Sequence, residues 1–431
     1  MKRSIFLSLF ALFFCANFAL AQTEPSSQEV LTIDQCINIA LKNNYDVRVA
    51  EKNYDKAKYS FWSSWQGFFL PTGGLSYSGS RYRYDVGHPD HYQSSYGLGL
   101  SLSQTIFDGW NNVANYNYSK KGKFSAGENL KLTKQAVVLG VKTNCYALLK
   151  AQMLLGVQTE AVKRSVEQLN MAKAKYDLGS ASLSDYLKAK VQLSNDSLAL
   201  ITAENDIKLA EADLNDIMGR NVDTPIQIDA KLEYKKFDLS AYSMTEGTIE
   251  NHPQINITKS AVDQAHSGLT MARSTYFPNI SFGVNYNWSD TKFPKSWADY
   301  QKPNDPWYIG IQVSLNLFNG LSTLSNIWSA QANLEAVKEK LINDRREVKL
   351  QINTALLAIT EAEQKIQVTA DALKSAEEDL NLTQEKYNLG AASMLELLDA
   401  NYSYTTAKSN QVQSLYDFNL AVAQFEKAIG K

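Results

Sequence analysis

Three carboxylates, Asp185, Glu396 and Asp399, stand inside two similar stretches, YDLGSASLSDYLKA from Tyr176 and YNLGAASMLELLDA from Tyr387. If several copies of the chain met around one axis, each carboxylate would become an acidic ring, which favours cations and repels itself. Asp185 and Glu396 also have a local explanation. Each lies three residues after a serine, Ser182 or Ser393, which is the spacing of a helix capping box. Asp399 has no such partner. Its counterpart in the first stretch is Lys188, so a closing salt bridge between those two is the other reading. Elsewhere, His88-Pro89-Asp90-His91 is the one cluster with metal-ligand residue types, and a solvated loop explains it better. His252 and His266 are isolated. No phosphate loop, nucleophile elbow or HExxH is present, so the chain is read as neither an enzyme nor a binder of cofactor or metal.

The two stretches predict sharp helix reversals. Gly179 and Gly390 follow the end of a heptad pattern, where a glycine in the left-handed conformation ends a helix. Ser182 and Ser393 then cap the next helix. Leu183 and Met394 follow the caps and would offer apolar contact area at an exposed tip. Gly179, Ser182, Leu183, Gly390, Ser393 and Met394 are the candidate contact residues for a partner.

The elements that position these turns occur twice, at an offset of about 210 residues, too long for a solenoid unit and so a duplicated half. Phe107-Asp108-Gly109 matches Phe318-Asn319-Gly320. Val141, Leu148, Leu155, Val162, Leu169 and Tyr176 recur every seventh residue, and so do Ile352, Ile359, Ile366, Leu373, Leu380 and Tyr387. The first repeat is placed at residues 22–230, with helices over 33–66, 110–178 and 183–218 and strands over about 72–107. The second, residues 231–431, has helices over 245–275, 321–389 and 394–429 and strands over about 279–318. A helix over 110–178 spans about 100 Å, and the two shorter helices of its half together span about the same.

Between short and long helices the period changes to two. Ile280, Phe282, Val284, Tyr286 and Trp288 alternate with Ser281, Gly283, Asn285, Asn287 and Ser289. Ile309, Ile311, Val313, Leu315 and Leu317 alternate with Gly310, Gln312, Ser314 and Asn316, and Leu98, Leu100 and Leu102 with Gly99, Ser101 and Ser103. Such lengths suit tilted transmembrane strands with aromatic residues near their ends. A soluble sandwich hairpin would alternate too. Four strands cannot close a barrel, and an open edge in lipid leaves backbone groups unpaired. Strands in a membrane therefore require several chains per barrel, and three chains would supply twelve strands.

Composition bounds the rest. The chain has 431 residues and a formal charge of -2, which leaves no electrostatic footprint for nucleic acid. Residues 1–21 read as a secretory signal peptide, with Lys2 and Arg3 before an apolar run and Ala19-Leu20-Ala21 as the cleavage site. Cys36 and Cys145 remain; they are too few for a disulfide framework, and one bridge is left open.

The ordered set of parts resembles the TolC-type outer membrane efflux protein family over the whole mature chain. The carriers are the duplication, both turn stretches, Leu398-Asp399-Ala400, the segment TIDQCINIALKNNYDVRVA with Asn44, NHPQI at Asn251, and the strand-to-helix junctions at Ile106 and Leu317. The resemblance implies an α+β membrane protein: a homotrimer whose four strands per chain make a twelve-stranded transmembrane β-barrel in outer membrane lipid. A long α-helical coiled-coil barrel would cross the periplasm. It implies a passive export channel that joins a periplasmic adaptor protein and an inner-membrane pump to the outside. The turns would meet the adaptor and close the channel at rest; among the candidate gate carboxylates Asp399, Asp185 and Glu396, Asp399 is the one that matches the family motif. A periplasmic coiled-coil scaffold or adaptor without a barrel is the alternative.

Overall fold

The computed structural model describes residues 29–83, 92–237, 246–301 and 307–430. The segment read as a signal peptide and the loop holding His88 and His91 lie outside them. Strand β1 (Glu29–Leu31) leads into α1 (Ile33–Asn43) and α2 (Tyr45–Phe69). Here the pattern predicts one helix and the structure has two. Asn44 leaves the helical conformation, and its side-chain oxygen accepts from the N–H groups of Asp46 and Val47 at 2.9 and 3.3 Å. An Asn that supplies this acceptor starts a new helix instead of continuing the old one.

The first copy continues with β2 (Thr72–Arg83), β3 (Tyr92–Asp108), α3 (Asn111–Asp177) and α4 (Leu183–Ile217). A short β4 (Ile226–Ile228) and α5 (Glu246–Glu250) precede the second copy. That copy runs α6 (Pro253–Ser274), β5 (Asn279–Asp290), β6 (Trp307–Ser314), α7 (Ser322–Asn388) and α8 (Met394–Ala428). Both long helices have 67 residues and both return helices 35, with no proline to break them. At α6, His252 takes the N-cap place, its Nδ1 accepting from Gln254 N–H at 3.2 Å, with Pro253 in the first turn. Burial pulls the His252 pKa down, which keeps that acceptor available.

The chain divides into two compact units. One holds the described residues up to Ala40, Gly140–Glu233 and Ile366–Tyr416; the other holds Leu41–Leu139, Tyr234–Lys365 and the C-terminal segment from Asp417. In the first, β1 and β4 form a parallel ladder, Glu29 opposite Ile226 and Leu31 opposite Ile228. Three-residue strands carry no readable alternation, and sequence analysis missed them. The α3 seam also departs from its heptads. Val141 and Leu148 are buried, but Leu155, Val162 and Leu169 are only half-buried; Ala161, Ser165, Gln168 and Ala172 take the inside instead. An α-helix with 3.6 residues per turn drifts against a strict seven-residue repeat.

The second unit contains the sheet, antiparallel in the order β2-β3-β5-β6. Its register explains the alternation. Leu75 faces Leu100, Leu100 faces Tyr286, Leu102 faces Val284, Val284 faces Ile309, and Phe282 faces Ile311. Directly opposed residues share a face, so these side chains form one apolar surface across all four strands. Ser76, Gly99 and Asn287 line up on the other. A bulge between Thr105 and Phe107 lets Phe107 face Ile280 and stay on the apolar side. The β6 ladder ends at Ser314 opposite Asn279, short of the expected 318, because β5 offers no residue beyond it. Leu317 and Phe318 are left exposed. Trp288 is covered by a single turn at Trp297–Tyr300, its Nε1–H donating to the Asp299 carbonyl at 2.8 Å. Each hairpin enters its long helix through two residues of positive φ, Gly109 and Trp110 in one copy, Gly320 and Leu321 in the other.

Candidate functional site: the paired helix reversals

Both reversals belong to the first unit and share one construction. At the end of α3, Gly179 N–H donates to the Tyr176 carbonyl at 2.8 Å and Ser180 N–H to the Lys175 carbonyl at 2.8 Å. At the end of α7, Gly390 N–H reaches Tyr387 O at 3.2 Å and Ala391 N–H reaches Lys386 O at 2.8 Å. These two-bond pairs are Schellman endings, with Gly179 (φ 73°) and Gly390 (φ 79°) in the left-handed place that lacks a Cβ penalty.

The next helices start in reciprocal capping boxes. Asp185 N–H donates to Ser182 Oγ at 3.1 Å while Asp185 Oδ2 accepts from Ser182 N–H at 3.3 Å. Glu396 N–H donates to Ser393 Oγ at 3.3 Å, and Glu396 Oε2 accepts from Ser393 N–H at 2.6 Å. That backbone N–H, with the Ser393 hydroxyl, holds the Glu396 carboxyl below the usual range. Both carboxylates are thus occupied in capping. Asp399 is exposed on α8 and Lys188 on α4, and no ion pair between them is present among the described residues.

The turns are tied together. Lys175 Nζ donates to the Tyr387 carbonyl at 2.6 Å and lies 3.9 Å from the centre of the Tyr387 ring. Burial, then the charge of Asp185, hold the Tyr387 phenol above its ordinary pKa. Tyr176 stacks on Tyr186 at 6.2 Å. Below them Ala172, Ala189, Leu380, Tyr387, Met394, Leu397 and Ala400 form a small core. This overturns one expectation: Met394 is 2% exposed and offers no contact area, while its counterpart Leu183 is half exposed. Packing against α3 and α4 decides that difference, and helical period does not reveal it. The apolar groups at the surface are instead Leu178 (82% exposed) and Leu389 (84%), equivalent residues just before the two glycines, together with Leu187 and Leu395. In the sequence, Leu178 and Leu389 are marked only by the Leu-Gly pair that both stretches share. Lys175 was also missed; its signal was a cation one turn before each glycine, Lys175 and Lys386.

Among the described residues, no three His, Cys, Asp or Glu side chains gather as metal ligands would. No helix there is long and apolar enough to cross a membrane. The model of the family described as outer membrane efflux protein matches residues 36–220 and 246–431. The chain belongs to the outer membrane efflux protein family. The two matched segments follow the two copies. The family is one of channels, not of catalysts, and the protein is an efflux duct of the outer membrane whose helical part lies in the periplasm. The reading as a soluble scaffold is set aside. Outer membrane protein TolC of Vibrio cholerae is 24% identical over 347 residues, 77% of this chain and 76% of that protein. Outer membrane efflux protein BepC of Brucella suis is 22% identical over 340 residues, 79% and 73% of the two chains. In structure, the CmeC outer membrane channel of Campylobacter jejuni superposes with a TM-score of 0.80 at 18% identity, covering 96% of this chain and 90% of that one.

Proposed function

We propose that three copies of this chain close a twelve-stranded barrel in the outer membrane and continue as a helical tunnel, forming a passive duct. The observation that carries the trimer is the sheet: four strands, two open edges at β2 and β6, and one continuous apolar face. Lipid offers no partner for edge N–H and C=O groups, so neighbouring chains must pair them. Helices α3 and α7, 67 residues each, would be about 100 Å long. Energy must come from an inner-membrane pump reached through a periplasmic adaptor. We assign the adaptor contact to the reversals, on Gly179, Ser182, Leu183, Gly390 and Ser393 with exposed Leu178 and Leu389 added; Met394 supports that surface from beneath.

The test is the mass of the particle extracted from outer membranes in mild detergent, measured by light scattering with the detergent subtracted. Three chains support the reading; a single chain or another number overturns it. Of the three gate candidates, Asp399 is the one whose carboxylate no cap employs. Asp399→Ala should raise ion conductance of the resting channel in a planar bilayer, since a ring of carboxylates narrows and charges the opening. Unchanged conductance removes Asp399 from the gate.

A further inference from the structure

The tip and barrel leave one pair of reactive groups unused. Cys36 on α1 and Cys145 on α3 stand in no disulfide, both are 0% exposed, and their thiols share a hydrogen bond. They lie about 110 residues apart in sequence, so only the fold brings them together. They are the two cysteines among the described residues, so no third thiol there competes for the bridge. The helical part of the protein lies in the periplasm, a compartment that forms and keeps disulfides. We propose that Cys36 and Cys145 are joined by a disulfide in the mature protein, stapling α1 to α3.

The oxidant is a periplasmic dithiol oxidase in its disulfide form. A thiolate of one cysteine attacks that disulfide and gives a mixed disulfide between the two proteins. The second cysteine, as thiolate, attacks the sulfur of the first; one S–S bond has formed here and the oxidant leaves as a dithiol. Two hydrogens and two electrons pass from the pair to the oxidant. Timing follows from the surroundings. The hydrogen bond with Cys36, then burial, push the Cys145 thiol far up. A buried, protonated thiol is a poor nucleophile. Exchange therefore precedes the docking of α1 on α3, and the finished bond is shielded from small reductants. A staple across so long a loop restricts the unfolded chain strongly. It also holds α1 in place, a helix of only 11 residues next to the three-residue β1.

The test uses the full-length protein from outer membranes, blocked with N-ethylmaleimide during lysis, denatured, and then treated with a maleimide-polyethylene glycol. The proposal expects no added mass without prior reduction and two adducts when denaturation includes dithiothreitol before the labelling. Trypsin should release peptides of Cys36 and Cys145 as one linked species, two hydrogens lighter than their sum. Dithiothreitol added to the folded protein should leave that species intact. Recovery of both peptides carrying N-ethylmaleimide after denaturing block, or a disulfide-linked dimer on a non-reducing gel, overturns the proposal. All these readouts use the wild-type chain, so they stand whether or not a Cys36→Ala/Cys145→Ala variant folds.

Discussion

Gly109 and Gly320 occupy equivalent junctions with the same left-handed φ, 67° and 66°, yet their surroundings differ. A Cβ on Gly109 would sit 2.4 Å from the Ser274 carbonyl oxygen and 2.8 Å from Phe277 Cβ; one on Gly320 would meet nothing within 4 Å. Gly320→Ala should cost only backbone strain, about 1 kcal/mol. Gly109→Ala adds a clash with backbone that cannot swing aside, and should lower the thermal midpoint at least twice as far. Equal midpoints for the two variants would refute the close approach. Glu250 makes a second case. The Arg345 guanidinium grips both carboxylate oxygens at 2.7 and 3.2 Å, Lys259 Nζ adds a contact at 2.7 Å, and together they hold the carboxyl at about 2, against an ordinary 4.5. A lowered carboxyl stabilises fully above its unfolded pKa and loses that contribution as pH falls toward the folded one. The advantage of wild type over Glu250→Gln in thermal melts should therefore be constant at neutral pH and shrink between 4.5 and about 2. It should also be modest, since both ends of the pair are part exposed and screened. A gap that persists at pH 2 would show that packing, not charge, explains it. At this scale the caps and turn glycines were legible, because their chemistry is local. The burial of Met394 was not, because it depends on residues more than 200 positions away, Ala172 and Ala189.

Single helices show where pattern and packing part company. The heptads of α7 keep more of their burial: Ile352, Ile359, Leu380 and Tyr387 are inside, while Ile366 and Leu373 are half-buried. Those of α3 lose it beyond Leu148, where Ala161, Ser165, Gln168 and Ala172 turn inward. Small and polar residues fill the inside there, with the Ser165 hydroxyl donating to the Asp196 carboxylate, and a seven-residue count cannot register that. The consequence is measurable within one helix. Leu148→Ala, at a fully buried position, should cost about 2–5 kcal/mol. Leu155→Ala, one heptad on and half-buried, should cost less than half as much. Similar losses in thermal stability would mean that Leu155 shares the core. Strand alternation survived better than helical period, since one residue's slip would move a whole strand to the wrong face. The bulge at Ile106 is the exception, and it keeps the apolar face continuous through Phe107.

For the whole molecule, the duplication was legible from the strand-to-helix junctions onward, because matched junctions, helix lengths and turns recur there at one offset. The short β1–β4 ladder and the helix break at Asn44 were not, since neither has a period. The four-stranded sheet ends in two open edges, and the proposal that one of its faces meets lipid can be tested with two adjacent residues. Ile311 and Gln312 are both exposed in the protomer, on neighbouring positions of β6. Ile311 faces Phe282 on the apolar side; Gln312 faces Ser281 on the polar side. If the apolar side meets the hydrocarbon, Ile311→Lys carries a charge into lipid at about 2–4 kcal/mol per chain, felt in every subunit of the assembly. Gln312→Lys puts the same charge toward water. The first variant should leave little heat-stable oligomer in the outer membrane fraction on a semi-native gel, and the second should match wild type. The charge change is the same for both, but Ile311→Lys also gives up strand propensity and its contact with Phe282, so Ile311→Gln, which loses these without adding charge, should keep most of the oligomer. Equal yields would mean that the apolar face is not the one the membrane touches, and the shared barrel would have to be abandoned.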